Sequence, residues 1–139
     1  MATRILRFVL ILLTAFLALT AFAGGVGLLA DLNAPPVELL EGSPFSNYVV
    51  PGLALLFLVG GFALAATILL VRRHGYAALA SALAGVVIVA FEIVEVMVIG
   101  SPAGIARDLQ IFYSTLGLLS MVFSIVGWLV RPIPQRAAS

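Results

Sequence analysis

A chain of 139 residues that is 63% hydrophobic and 9% charged, with a mean hydropathy of +1.26, is too apolar for a water-soluble domain and belongs in a bilayer. It has no cysteine, which excludes disulfides, thiol redox chemistry and thiolate metal sites, and with them the four-span thiol oxidoreductases. Its basic residues are all arginine and form no stripe interleaved with aromatics, so nucleic acid is excluded as a partner.

Lipid cannot hydrogen-bond a backbone, so each apolar run of about 20 residues must cross as a helix. The first such run covers residues 5–29 behind Arg4 and Arg7. A basic start, an apolar stretch and Ala21-Phe22-Ala23 also have the form of a cleavable signal peptide, but the apolar run continues past that point, which favours a retained span. Thr14, Ala18, Ala21 and Gly25 share one face of it, and small residues so placed let two helices approach closely.

Residues 31–50 form the longest connector, holding Asp31, Glu38, Glu41 and several helix breakers. Pro36 followed by Val-Glu-Leu-Leu-Glu and Gly42 predicts one short helical turn lying along the surface, with Val37, Leu39 and Leu40 dipped in. The second span, residues 51–71, opens on Pro51, whose missing N–H is no loss in a first turn, and presents Gly60, Ala63 and Thr67 on a small face. Arg72 to Gly75 is so short a link that spans two and three must be antiparallel neighbours. His74, the one histidine, reads as a solvated loop residue, and bis-histidine haem ligation within the chain is excluded.

The third span, residues 76–99, carries the most informative side chains. On a wheel of about 100° per residue Ala78, Ser81, Gly85, Ile88, Glu92, Glu95 and Ile99 fall on one face, with Leu83, Val86, Val87, Ala90, Val94 and Met97 opposite. Carboxylates in a span face a bundle interior or a wet cavity. Two of them three residues apart disfavour each other's ionisation, so at least one, Glu92 as the deeper, is expected to be protonated or paired with a cation. Residues 100–108 link to the fourth span, with Ser101-Pro102 as cap and first turn. In that span, residues 109–130, Tyr113, Gly117, Ser120, Ser124 and Gly127 share the inward face, with Ile111, Leu118, Val122, Ile125 and Leu129 opposite. The tail 131–139 has two prolines and is predicted to be disordered.

The pattern predicts an all-α integral membrane protein, one transmembrane domain over residues 1–139, with four helices in an antiparallel up-down bundle. Six of the seven arginines lie at the N-terminus, the second connector or the C-terminus, which predicts both termini inside. Tyr76 and Trp128 would then mark the inner interface, Tyr48 and Phe112 the outer one. Counting depth along antiparallel helices places Glu95 level with Tyr113 and Ser114, and Glu92 level with about Gly117. An intramembrane polar cluster of Glu92, Glu95, Arg107, Gln110 and Tyr113 is therefore expected, with a salt bridge from Arg107 to Glu95 left open. Gly25, Gly60, Gly85, Gly117, Ser120 and Ser124 are the expected helix-packing positions.

Two functions fit these residues. One is a small structural or accessory membrane protein that packs against itself, as a homo-oligomer, or against a partner membrane complex. The other is a proton- or cation-coupled small transporter using Glu92 and Glu95. Four-span multidrug exporters carry their carboxylate in the first span, where this chain has none before Asp31. No nucleophile with its base, no metal constellation and no phosphate loop is present, so an enzyme, a metal or a cofactor is not expected. The segment SPFSNYVVPG, residues 43–52, just ahead of an apolar span, resembles small uncharacterised four-span bacterial membrane proteins with a Ser-Pro-Phe and Pro-Gly signature at that place. The resemblance implies a four-helix bundle in a bacterial inner membrane and brings no activity with it.

Overall fold

The computed structural model describes residues 2–32 and 34–131. The predicted tail lies, from residue 132 onward, outside them. Among the described residues four helices are long and apolar enough to cross a membrane: α1 (Ala2–Leu29), α2 (Val49–Val71), α3 (Ala77–Ile99) and α4 (Ile105–Leu129). A 3-10 turn, Val37–Leu40, sits in the long connector. There Leu40 is buried against the bundle and Val37 is exposed on the protein's surface.

Helices adjacent in sequence are adjacent in space, and α4 closes the ring against α1, so the four form an up-down bundle. Its core is thin: Leu17, Ala18, Ala21, Val59, Ala63, Ile88 and Leu116 at one level, Leu10, Leu70 and Ala77 at another. The outside is apolar, with Phe8, Leu19, Phe57 and Met97 among the residues turned outward. A surface of that kind is stable only against hydrocarbon, and the chain is a multi-pass membrane protein.

Small residues set the interhelical spacing. A side chain at Gly85 would stand 2.5 Å from the Gly117 carbonyl oxygen, and one at Gly117 would stand 2.6 Å from Ile88. The backbones of α3 and α4 therefore touch. On the other side of the bundle Gly25 lies against the Gly52 carbonyl and Leu56, and Gly60 against the ring of Phe22. Ser120 and Ser124 are buried in the α4 seam. Ser124 Oγ donates to the Ser120 carbonyl at 2.5 Å, while Ser120 Oγ has no partner among the described residues.

The α2 helix is not uniform. Between Val49–Leu53 and Gly60–Val71, residues Ala54–Val59 wind as a π-helix, and Gly60 N–H donates to Leu55 O, five residues back. A π turn takes up one residue more than an α turn. Gly52 and Gly60 are eight residues apart, which in a plain α-helix leaves them about 80° apart around the axis. With one residue absorbed they differ by about 20° and both reach α1. The two glycine contacts and the widened turn are thus one structural solution.

One polar link crosses this interface. Thr67 Oγ1 donates to Thr14 Oγ1 at 2.9 Å, and Thr14 Oγ1 passes a hydrogen bond to Leu10 O at 2.8 Å. Thr67→Val keeps the shape and removes the link. It is expected to cost about 0.6 kcal/mol, the usual worth of an interhelical hydrogen bond in a membrane, read as a lowered unfolding midpoint in detergent.

The second span starts just before Pro51, within the reading of its sequence, while the fourth helix starts a turn earlier than hydropathy suggests. The α2 helix begins at Val49, because Tyr48 and Val49 already close the turn ahead of Pro51, with Gly52 N–H donating to Tyr48 O. The α4 helix begins at Ile105, one turn before residue 109. It follows Gly104, whose φ of 112° ends the link from α3. Arg107 and Asp108 lower the hydropathy there without breaking the helix.

Candidate functional site

The earlier start of α4 sets its register against α3. With Ile99 ending one helix and Ile105 starting the next, Gly117 meets Gly85, Ile88 and Val89, where depth counting from residue 109 put it beside Glu92. Glu95 correspondingly lies beside Gln110, a turn away from Tyr113.

Gln110 is the centre of the polar arrangement and is only 4% exposed. Its Nε2 donates to Glu95 Oε1 at 3.1 Å and to Gly100 O at 3.0 Å, and its Oε1 accepts from Ser101 Oγ at 2.8 Å. Both amide protons and the carbonyl are therefore used, as a buried amide requires. Ser101 does not cap α4, which has no side-chain cap; its hydroxyl is committed to Gln110 instead. Arg107 directs Nε and Nη2 to the Ser101 carbonyl, at 3.2 and 2.8 Å, rather than to Glu95. Tyr113 packs on the apolar core and sets its ring edge against Phe112, with centroids 5.3 Å apart. Of the five expected cluster members, then, Glu95 and Gln110 bond directly, Arg107 reaches the same loop backbone, and Tyr113 stands apart.

Glu92 lies one turn deeper on the inward face of α3 and is 5% exposed. It accepts no side-chain hydrogen bond among the described residues, which leaves its oxygens to a proton, a water or a cation. No group of three or more His, Cys, Asp or Glu side chains converges among the described residues.

Beside Glu95 opens a cavity of about 400 Å³ between the connector, the start of α2 and the end of α3. Leu40, Phe45, Tyr48, Leu58, Phe91 and Val94 are among its wall residues, and Glu95 is the one charged residue lining it among the described residues. Tyr48 fixes the lid side by donating to Pro36 O at 3.0 Å. Burial, with the charges of Glu95 and Glu38 adding, holds its phenol above the usual tyrosine range, so it stays a neutral donor. Residues 43–52 build this wall: Ser43 Oγ donates to Leu40 O at 2.7 Å and accepts from Phe45 N–H at 3.2 Å, and Gly52 lies against α1. Sequence reading did not single out Phe45, Tyr48 or Phe91 as cavity residues. The signal that could have found the first two is a pair of aromatics, Phe45 and Tyr48, held between Pro44 and Pro51; Phe91 carries no such local signal.

No protein family, no curated protein and no solved structure matches this chain.

Proposed function

We propose that the protein binds a lipophilic cation in the cavity beside Glu95, with Glu95 as its counter-ion and Glu92 as a neighbouring carboxylate that exchanges protons. The observation that carries this reading is an apolar cavity of about 400 Å³ with a single charged lining residue, a carboxylate. Such a site suits an apolar body bearing one positive group: the body replaces hydrocarbon contacts, and the charge finds its partner in a place of low dielectric. The rings of Phe45, Tyr48 and Phe91 line the same space and add the attraction of aromatic faces for a cation. Because a proton and a cation compete for one carboxylate, binding is linked to pH. That linkage is the minimum a proton-coupled carrier needs.

Tetraphenylphosphonium binding to the protein in lipid nanodiscs, with empty nanodiscs as background, tests this. One saturable site per chain is expected, with protons competing against the probe. Glu95→Gln should weaken binding roughly thirtyfold, the effect of removing one partner of a buried charge pair worth about 2 kcal/mol. Unchanged affinity in a Glu95→Gln variant of normal helix content would refute the proposal, and so would purely non-saturable uptake.

A second reading, a structural or accessory bundle, is favoured by the hydrogen bond from Gln110 to Glu95, which already gives that carboxylate a role in tying α4 to α3. It predicts that Glu95→Gln alters stability and leaves no ligand binding to lose. The buried glycine contacts serve the chain's own helices, so a partner complex would have to use other surfaces.

A further inference from the structure

At the opposite end of the bundle the charge pattern reverses. The start of α1, the turn after α2 and the end of α4 surround a second cavity, of about 520 Å³, lined by Arg4, Arg7, Arg73 and Arg131 with His74. None of the six acidic residues lines it. Arg131 spends one bond on Gly75 O at 3.3 Å. Arg4, Arg7 and Arg73 make no side-chain hydrogen bond among the described residues. Arg73 occupies a left-handed backbone position (φ 54°), where a helix end ordinarily takes glycine. The turn is closed by His74 N–H to Leu69 O and Arg73 N–H to Leu70 O.

The positive-inside tendency accounts for arginines at this end, but not for what adjoins them. A groove of about 430 Å³ runs down the outside of the bundle between α3 and α4, lined by Leu79, Ala82, Ile125 and Trp128. It shares Gly75, Ala78, Ser124 and Arg131 with the basic cavity. A chamber bordered by four guanidinium groups therefore adjoins, across those shared residues, an apolar groove on the outer face of the bundle. Guanidinium groups bind phosphate oxygens in pairs, and basic pockets between spans suit anionic headgroups.

We propose that this end holds an anionic phospholipid, its headgroup phosphate among Arg4, Arg7 and Arg73 and one acyl chain in the groove along Trp128. Free phosphate would satisfy the chamber alone. The contiguous groove is what selects a lipid.

Trp128 is the sole tryptophan and so reports on the groove directly. The full chain is reconstituted with phosphatidylglycerol or phosphatidylcholine carrying brominated acyl chains, and relative binding constants are taken from Trp128 quenching. Phosphatidylglycerol is expected to be preferred, and Arg7→Gln or Arg73→Gln should each reduce the preference about tenfold, as loss of a charge-assisted hydrogen bond to a phosphate does. Arg72→Gln is the matched control. It removes the same charge at the same end from a residue that does not line the cavity, so it reports the diffuse surface attraction alone and should change the preference by less, about fivefold at most.

Equal effects of Arg72→Gln and Arg73→Gln would mean a diffuse surface field and would overturn the proposal. So would equal quenching by both lipids in the unaltered protein, an outcome that stands even where a variant fails to fold. Inorganic phosphate added at the lipid's concentration should displace little phosphatidylglycerol; full displacement would make this a free-anion site and refute the lipid.

Discussion

Replacing Gly85 by valine is expected to destabilise the bundle by about 3 kcal/mol, the upper part of the usual range for overpacking. The reason is that the contact is with backbone. The first added carbon would already stand 2.5 Å from the Gly117 carbonyl oxygen and 2.9 Å from Met121. A side chain can rotate away from such a contact, but the carbonyl belongs to the α4 hydrogen-bond ladder, so the helices must separate along their closest seam. Gly117→Val strikes the same seam from the other side, at 2.6 Å from Ile88, and the double variant should cost less than the two singles together. Gly61→Ala is the contrast. Nothing lies within 4 Å of the added carbon, and replacing a mid-helix glycine should leave stability unchanged or raise it by about 0.5 kcal/mol. Unfolding in detergent, followed by loss of helix signal, measures all four. A Gly85→Val variant as stable as Gly61→Ala would show that α3 and α4 do not touch there.

The second large effect is expected at Gln110. Its alanine variant strands a carboxylate oxygen, a carbonyl and a hydroxyl at once, because Glu95, Gly100 and Ser101 all bond to that one amide. A hydrogen bond to a charged group is worth about 1.5–3 kcal/mol, so a loss of about 3 kcal/mol is expected, read as a lowered unfolding midpoint. Glu95→Gln should cost under about 1 kcal/mol, since its amide oxygen can still accept from Gln110. The order of the two variants is the diagnostic result. If Glu95→Gln proves the more damaging, the carboxylate's charge, and not the Gln110 amide, holds the ends of α3 and α4 together.

Much of this arrangement was legible in the sequence, for a reason visible at particular positions. In α3 and α4 the pattern repeats with the helical period, so Ser81, Gly85, Ile88 and Glu92, like Gly117, Ser120 and Ser124, are buried while Leu83, Met97, Ile111 and Leu118 face outward. Register was not legible, because it depends on where α4 starts. Arg107 and Asp108 hide a helical turn from any hydropathy count, and one hidden turn moves the residue level with Glu95 from Tyr113 to Gln110, which the expected cluster already held. The small face of the second span was read only as far as Gly60. Gly52 belongs to it too, but eight residues put it off the stripe until the π turn takes one residue out of the count. The arginines of the basic cavity could be named individually. That they enclose a space depends on three chain segments meeting, which no local pattern records.

The widened turn at Ala54–Val59 also fixes the outer geometry of the second crossing. Rewinding it as ordinary α-helix with its residue count unchanged would leave the segment long enough to span, yet with everything before it swivelled by about 100°. Gly52 would leave α1, and Val50, Pro51 and Ala54, which border the cavity beside Glu95, would turn elsewhere. The surplus residue thus acts as a spacer shim that only a widened turn accommodates: the site's shape depends on where that residue is taken up, and excising one residue of the turn would let plain α-helix form with Gly52 and Gly60 still on one side.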